Sequence, residues 1–157
     1  MDAYMGFPYS YLKLANHFAA NFLTLVPGEY QSEDKRYKFV LCDDIKNQNG
    51  TVSRTVARIE MRNFCIEVNK SANINQPSDY MFFLLLWFYA KYHQTHNPDQ
   101  EEYKSDSDTD IEVLNYCISV GRSKESIYKG FLDVSNYYSN ERMLRRCQEL
   151  KKYVDNL

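Results

Sequence analysis

Apolar positions along the chain fall into helix-spaced stretches at both ends, with strand-like patterns between them. From Pro8 to Val26, the residues Leu12, Ala15, Phe18, Ala19, Phe22, Leu25 and Val26 recur at the three- and four-residue spacing of one helix face. Pro27-Gly28 ends that pattern. Arg36 to Asp43 (RYKFVLCD) reads as a strand. Thr51 to Met61 then alternates, with Val52, Arg54, Val56, Arg58 and Glu60 set against Thr55, Ala57, Ile59 and Met61. Asn47-Gln48-Asn49-Gly50 is a turn signal between these two runs, so the expectation is a hairpin. Phe64 to Val68 is a third short strand, followed by a polar loop from Asn69 to Pro77.

Ser78 or Asp79 is suited to cap a helix that continues to about Gln94. Its centre, MFFLLLWFYA, is apolar without a break from Met81 to Ala90. A bilayer span needs about 20 such residues. The run covers half of that and is flanked by Asp79 and Lys91, so it predicts a buried central helix and no membrane crossing. A charged loop follows from His96 to Asp106. Ser107 or Asp108 opens the next helix, which carries Ile111, Leu114, Tyr116, Cys117 and Ile118, with Gly121 as its C-terminal cap. Ser123 starts another, with Ser126 where a capping box would have Glu or Gln, and with Ile127, Phe131, Leu132 and Val134 along it. Ser139 with Arg142 begins the last helix, in which Met143, Leu144, Cys147, Leu150 and Val154 share a face. The order predicts a single α+β domain over residues 1–157: a small antiparallel sheet with helices packed on it.

Composition narrows the function classes. The net charge of −2 removes the basic excess expected of a nucleic-acid binder. Tyrosine is the outlier at 14 copies, and its large ring with a polar tip suits half-buried surfaces, including those of a homo-oligomer. Cys42, Cys65, Cys117 and Cys147 form no CxxC pair and read as four reduced, mostly buried thiols. The opening MDAYMGFPYS lacks the basic start and apolar stretch of a signal peptide, so the expected location is cytoplasmic.

The second half resembles the gluzincin branch of zinc peptidases. PSDYMFFLLLWFYAK corresponds to the active-site helix, DTDIEVLNYCISVGRSKESI to the helix that supplies the third zinc ligand, and YYSNERMLRRCQEL to the terminal helix. The likeness covers about residues 52–154. It sets Trp87-Phe88-Tyr89-Ala90-Lys91 at the place of HExxH, Asp108 at the zinc-binding Glu and Asp110 at the Asp that follows. Zinc hydrolysis needs two imidazoles one helical turn apart, a third protein ligand and a carboxylate base. Trp87 binds no zinc, Lys91 repels it and Phe88 is no base. The resemblance therefore implies a zincin-like domain with a lost site, no cofactor, and Lys91 in place of the metal's charge beside Asp108 or Asp110. A plain alternative is that Lys91 ends an apolar stripe and reaches for water.

His93 and His96, with Asp106, Asp108 and Asp110 close in sequence, offer ligands for a divalent metal, or are surface residues at a helix end. Asp106-Ser107-Asp108-Thr109-Asp110 begins like a calcium loop but has Ile111 and Cys117 where Gly and Glu belong, so it reads as helix capping. The cysteines lie on regular elements and His17 on a structural helix, which argues against a thiol nucleophile. Arg142, Arg145, Arg146, Lys151 and Lys152 give the last helix a solvated basic side. The expectation is a non-catalytic protein with an interaction or regulatory role, of the kind found among bacterial or phage accessory proteins. Its protein partner is unspecified, with Tyr103, Tyr137 and Tyr138 as candidate contacts. The competing classes are a metal-dependent hydrolase using His93, His96 and the acids of 106–110, and a structural oligomer subunit.

Overall fold

A computed structural model describes residues 7–52, 55–60, 62–72, 74, 76–96, 106–138 and 140–157; the side chains of 93–96, 106, 137 and 138 lie outside that description. The architecture is α+β: α1 (Tyr9–Ala20), four strands β1 (Gly28–Gln31), β2 (Lys38–Cys42), β3 (Ala57–Glu60) and β4 (Cys65–Asn69), then α2 (Pro77–His96), α3 (Asp106–Ser119), α4 (Lys124–Tyr138) and α5 (Glu141–Asp155).

The sheet order is β1-β2-β4-β3. It is mixed, not wholly antiparallel: β1–β2 and β3–β4 are antiparallel, and β2–β4 is parallel, with Phe39 opposite Ile66 and Leu41 opposite Val68. The expected hairpin across Asn47–Gly50 is not formed. That segment does turn, with Gly50 at φ +86°, the Asn47 amide donating to the Thr51 carbonyl at 2.8 Å and the Gly50 amide to the Asn47 carbonyl at 3.0 Å. Among the described residues it closes the single bridge Lys46–Val52. The two hairpins among them are β1–β2, whose first strand the hydrophobic pattern did not reveal, and β3–β4, with residues 62–64 in the turn. Alternation still sets the faces: Phe39, Leu41, Ile66, Val68 and Ala57 are buried, while Lys38, Val40, Cys42, Cys65 and Glu67 are half-buried.

Helix α2 is the hub, as its all-round apolar sequence predicts. Residues Tyr80 to Leu86 are each at most 9% exposed. Pro77 occupies its first turn, where a missing N–H costs nothing, one residue earlier than the expected cap. Helix α1 packs on it, and the Tyr11 hydroxyl donates to the Leu85 carbonyl at 2.5 Å. Tyr11 anchors a cluster of edge-to-face rings with Tyr37, Phe39 and Phe64, each centroid pair 5.0–5.7 Å apart. Helix α4 crosses α2 at Gly130, where a Cβ would stand 2.5 Å from that of Tyr80. Only glycine permits this approach. Arg122, in the α3–α4 turn, ties the layers together. Its guanidinium donates to Ser78 Oγ at 2.6 Å and Asp79 Oδ1 at 3.3 Å, reaches Asn16 on α1, and lies 4.7 Å from the Phe82 ring centroid.

The caps follow sequence rules with small shifts. Ser123 Oγ accepts from the Ser126 amide at 3.3 Å at the start of α4. Asn140, not Ser139, caps α5, its side chain accepting from the Met143 amide at 2.8 Å. Gly121 takes φ +95° after α3, as its expected cap role requires. Helix α1 stops at Ala20, and residues 21–24 form a turn before Pro27. Among the described residues, no helix is long and apolar enough to cross a membrane.

Candidate functional site

Four helices bring their chemistry together at the C-terminal half of α2. Trp87 is half-buried there. The Arg146 guanidinium of α5 stacks 4.7 Å from the Trp87 ring centroid and 5.1 Å from that of Phe131 on α4. Asp110 of α3 accepts from Arg146 in a two-pronged pair, Nε to Oδ2 at 3.1 Å and Nη2 to Oδ1 at 3.0 Å. The pair is out of solvent, the Asp110 side chain being 1% exposed and that of Arg146 11%. Parallel N–H bonds to a carboxylate fix the guanidinium plane as well as its position, which a lysine does not do. Lys91 Nζ lies 5.6 Å from the Trp87 ring centroid. The indole is thus flanked by two cations.

Of the residues singled out in the sequence, Trp87 and Asp110 meet at Arg146, and Lys91 lies against the Trp87 ring. Phe88, which touches Trp87 edge to face at 5.5 Å, lines the cavity beside them. Asp108 is exposed in the first turn of α3. His93, His96 and Asp106 lie on helical backbone, but their side chains fall outside the described residues, as do Tyr103, Tyr137 and Tyr138. No group of three His, Cys, Asp or Glu able to hold a metal ion occurs among the described residues.

The residue that sequence reasoning passed over is Arg146, counted there in a solvated basic side. Its signal was present: it follows Met143 by three residues and adjoins Cys147, which places it on the apolar stripe of α5.

Beside this cluster a cavity of about 390 Å³ opens between α2, α4, α5 and the start of β3. Its walls are Val56 and Ala57 from the sheet side, Tyr80, Leu84, Trp87 and Phe88 from α2, Phe131 and Val134 from α4, and Met143 and Arg146 from α5, with Thr55 and Asn140 also lining it. On the sheet side it lies at β3, one of the two edge strands in the order β1-β2-β4-β3. The volume is in the range that holds a small organic molecule, and the lining is mostly apolar and aromatic with few polar groups, the composition of binding pockets.

No His, Cys or carboxylate stands among the described lining residues. The thiols elsewhere are poor nucleophiles: burial raises the Cys42, Cys65 and Cys147 pKa values and pushes Cys117 up to about 12. All four cysteines are free, Cys117 and Cys147 buried and the other two half-buried. Burial also lifts the Tyr11 and Tyr89 phenols, keeping them neutral in the core. Comparison with protein-family models, with curated proteins and with solved structures gives no match for this chain.

Proposed function

We propose that this chain is a non-catalytic protein with an interaction or regulatory role, zincin-like in the order of its helices, and that the cavity beside Trp87 is where it recognises its counterpart. One observation carries the reading: Trp87 and Phe88, at the first two positions corresponding to HExxH, form the wall of an apolar cavity whose one guanidinium is already neutralised by Asp110. An acid–base or nucleophilic site presents titratable groups to its substrate. Here the carboxylate faces an arginine, and the aromatic rings face the open space. The two-pronged Arg146–Asp110 pair supplies the opposed charges that a metal and its carboxylate ligand would supply in a working zincin. In this reading the protein acts in the cytoplasm on a protein partner.

The test combines metal analysis with capture. The purified chain is expected to carry no stoichiometric zinc, and His93→Ala is expected to leave its metal content unchanged. Met143→Arg, which puts a charge into the cavity, is expected to abolish retention of a partner that the wild-type chain retains from its source extract. One tightly held metal per chain, lost together with a hydrolytic activity in His93→Ala, would establish the hydrolase instead. A stable dimer or larger species in light scattering, disrupted by tyrosine substitutions outside the cavity, would establish the oligomer subunit.

A further inference from the structure

We infer that the cavity binds a small neutral molecule with an apolar body and a carbonyl-type acceptor, such as an acyl amide or ester, and that it discriminates against the corresponding anion and cation. This rests on the reading of the cavity as a recognition site and adds the class of its ligand.

Charge comes first. Among the described lining residues the one ionised side chain is Arg146, and its Nε and Nη2 are both committed to Asp110 at 3.1 and 3.0 Å. The guanidinium and carboxylate cancel, so the described lining residues carry no uncompensated charge; Lys91, against the Trp87 ring, is not among them. A carboxylate guest would lose its hydration against a guanidinium whose charge Asp110 already compensates. An ammonium guest would meet Arg146.

The polar groups left over are donors. Arg146 Nη1 makes only a long contact to Met143 Sδ at 3.5 Å. Asn140 spends its side-chain oxygen on the Met143 amide at 2.8 Å, and its amide Nδ2 makes no described bond. Trp87 carries a third donor on this side of the fold, its indole Nε1, which is buried and has no hydrogen-bond partner among the described residues. Buried donors without partners are rare in folded proteins and call for an acceptor. A neutral oxygen acceptor is the group that the donors of Arg146 and of the exposed cap residue Asn140 fit, while the rest of the ligand lies against Leu84, Phe88, Phe131 and Val134.

The only tryptophan of the chain is on this wall, so binding reports itself in Trp87 fluorescence. The experiment titrates the chain of residues 1–157 with octanamide, octanoate and octylammonium, which share one apolar body and differ in head-group charge. Octanamide is expected to shift the Trp87 emission saturably, with at least ten-fold tighter binding than either charged analogue. Met143→Trp, which fills the cavity, is expected to weaken octanamide binding ten-fold or more, followed for both tryptophan variants by isothermal titration calorimetry so that the added indole does not confuse the readout. Leu144→Trp, on the same turn but 39% exposed, is expected to leave binding unchanged. Octanoate binding as tightly as octanamide would overturn the ligand class. Octanamide binding undiminished in Met143→Trp would overturn the location. Absence of octanamide binding, with partner retention still lost in Met143→Arg, would reject the small-molecule inference while leaving the interaction role standing. Loss of neither would reject both.

Discussion

Replacing Asp110 with leucine leaves the Arg146 guanidinium almost fully out of water with both charge-assisted bonds gone. Breaking a buried ion pair from one side costs about 3–5 kcal/mol, because the remaining charge stays desolvated. Two features of this site soften the penalty. The Trp87 and Phe131 rings hold the cation at 4.7 and 5.1 Å, and a desolvated cation over an aromatic face is worth about 2 kcal/mol. The side chain is also 11% exposed and can shift toward solvent. Asp110→Leu should therefore destabilise by about 3 kcal/mol, the low end of the range. With a urea dependence of about 2 kcal/mol per molar, the unfolding midpoint falls by roughly 1.5 M. Arg146→Met should cost at least as much, since Asp110 is the more deeply buried partner at 1% exposure. The double variant Asp110→Leu/Arg146→Met removes both charges and keeps a long apolar chain between the rings, so it should return to within about 1 kcal/mol of wild type. Equilibrium urea denaturation followed by far-ultraviolet circular dichroism measures all four members of this cycle. A cost below about 1 kcal/mol for Asp110→Leu, as for an exposed pair, or a double variant no better than the singles, would refute the claim that the pair is a buried, self-neutralising unit.

Other expectations test the frame around the cavity. Gly130→Ala gains about 1 kcal/mol in helix propensity, but its Cβ would stand 2.5 Å from Tyr80 Cβ and 2.9 Å from its Cγ. The overpacking should dominate and lower the melting temperature, and a rise would show that the α2–α4 crossing is looser than described. Asn140→Ala should cost about 1 kcal/mol through loss of the α5 cap, with Asn140→Ser recovering most of it in denaturant titration. Stability should also fall at alkaline pH. Cys117 keeps its proton in the fold up to about 12, whereas an unfolded thiol ionises near 9.0, so the unfolded state releases protons first. The stabilisation is complete below pH 9 and shrinks by up to about 1.4 kcal/mol per pH unit above it. Cys117→Ala should flatten that slope between pH 9 and 10, before the tyrosines contribute, and an unchanged slope there would contradict the assignment.

The helical frame was legible because packing and periodicity agree in it. MFFLLLWFYA has no polar face, so it had to be interior, and α2 is the hub of the fold. The Gly121 and Ser123 signals stand where the chain turns. Strand pairing was less legible, because it is decided by distant partners. GEYQ has one half-buried residue and no apolar alternation, so β1 announced itself only through its ladder to β2. The Asn-Gly turn formed, yet β4 outcompeted β3 for β2 by placing Ile66 and Val68 beside Phe39 and Leu41. At the site, Trp87 and Asp110 could be named from their positions on helices. Their common partner Arg146 was passed over although it stands on the apolar stripe with Met143 and Cys147, since a charged residue beside Arg145 reads as solvated until the tertiary fold covers it.

The central claim is that the space between Trp87, Phe131, Val134 and Met143 is a recognition cavity. The most direct measurement is a methyl-group NMR titration of the wild-type chain with octanamide. The account predicts saturable shifts confined to the methyls of Val56, Leu84, Val134 and Met143, with those of the exposed Leu23 and Val26 unmoved. Shifts absent from these four, or spread evenly over surface methyls, would contradict it.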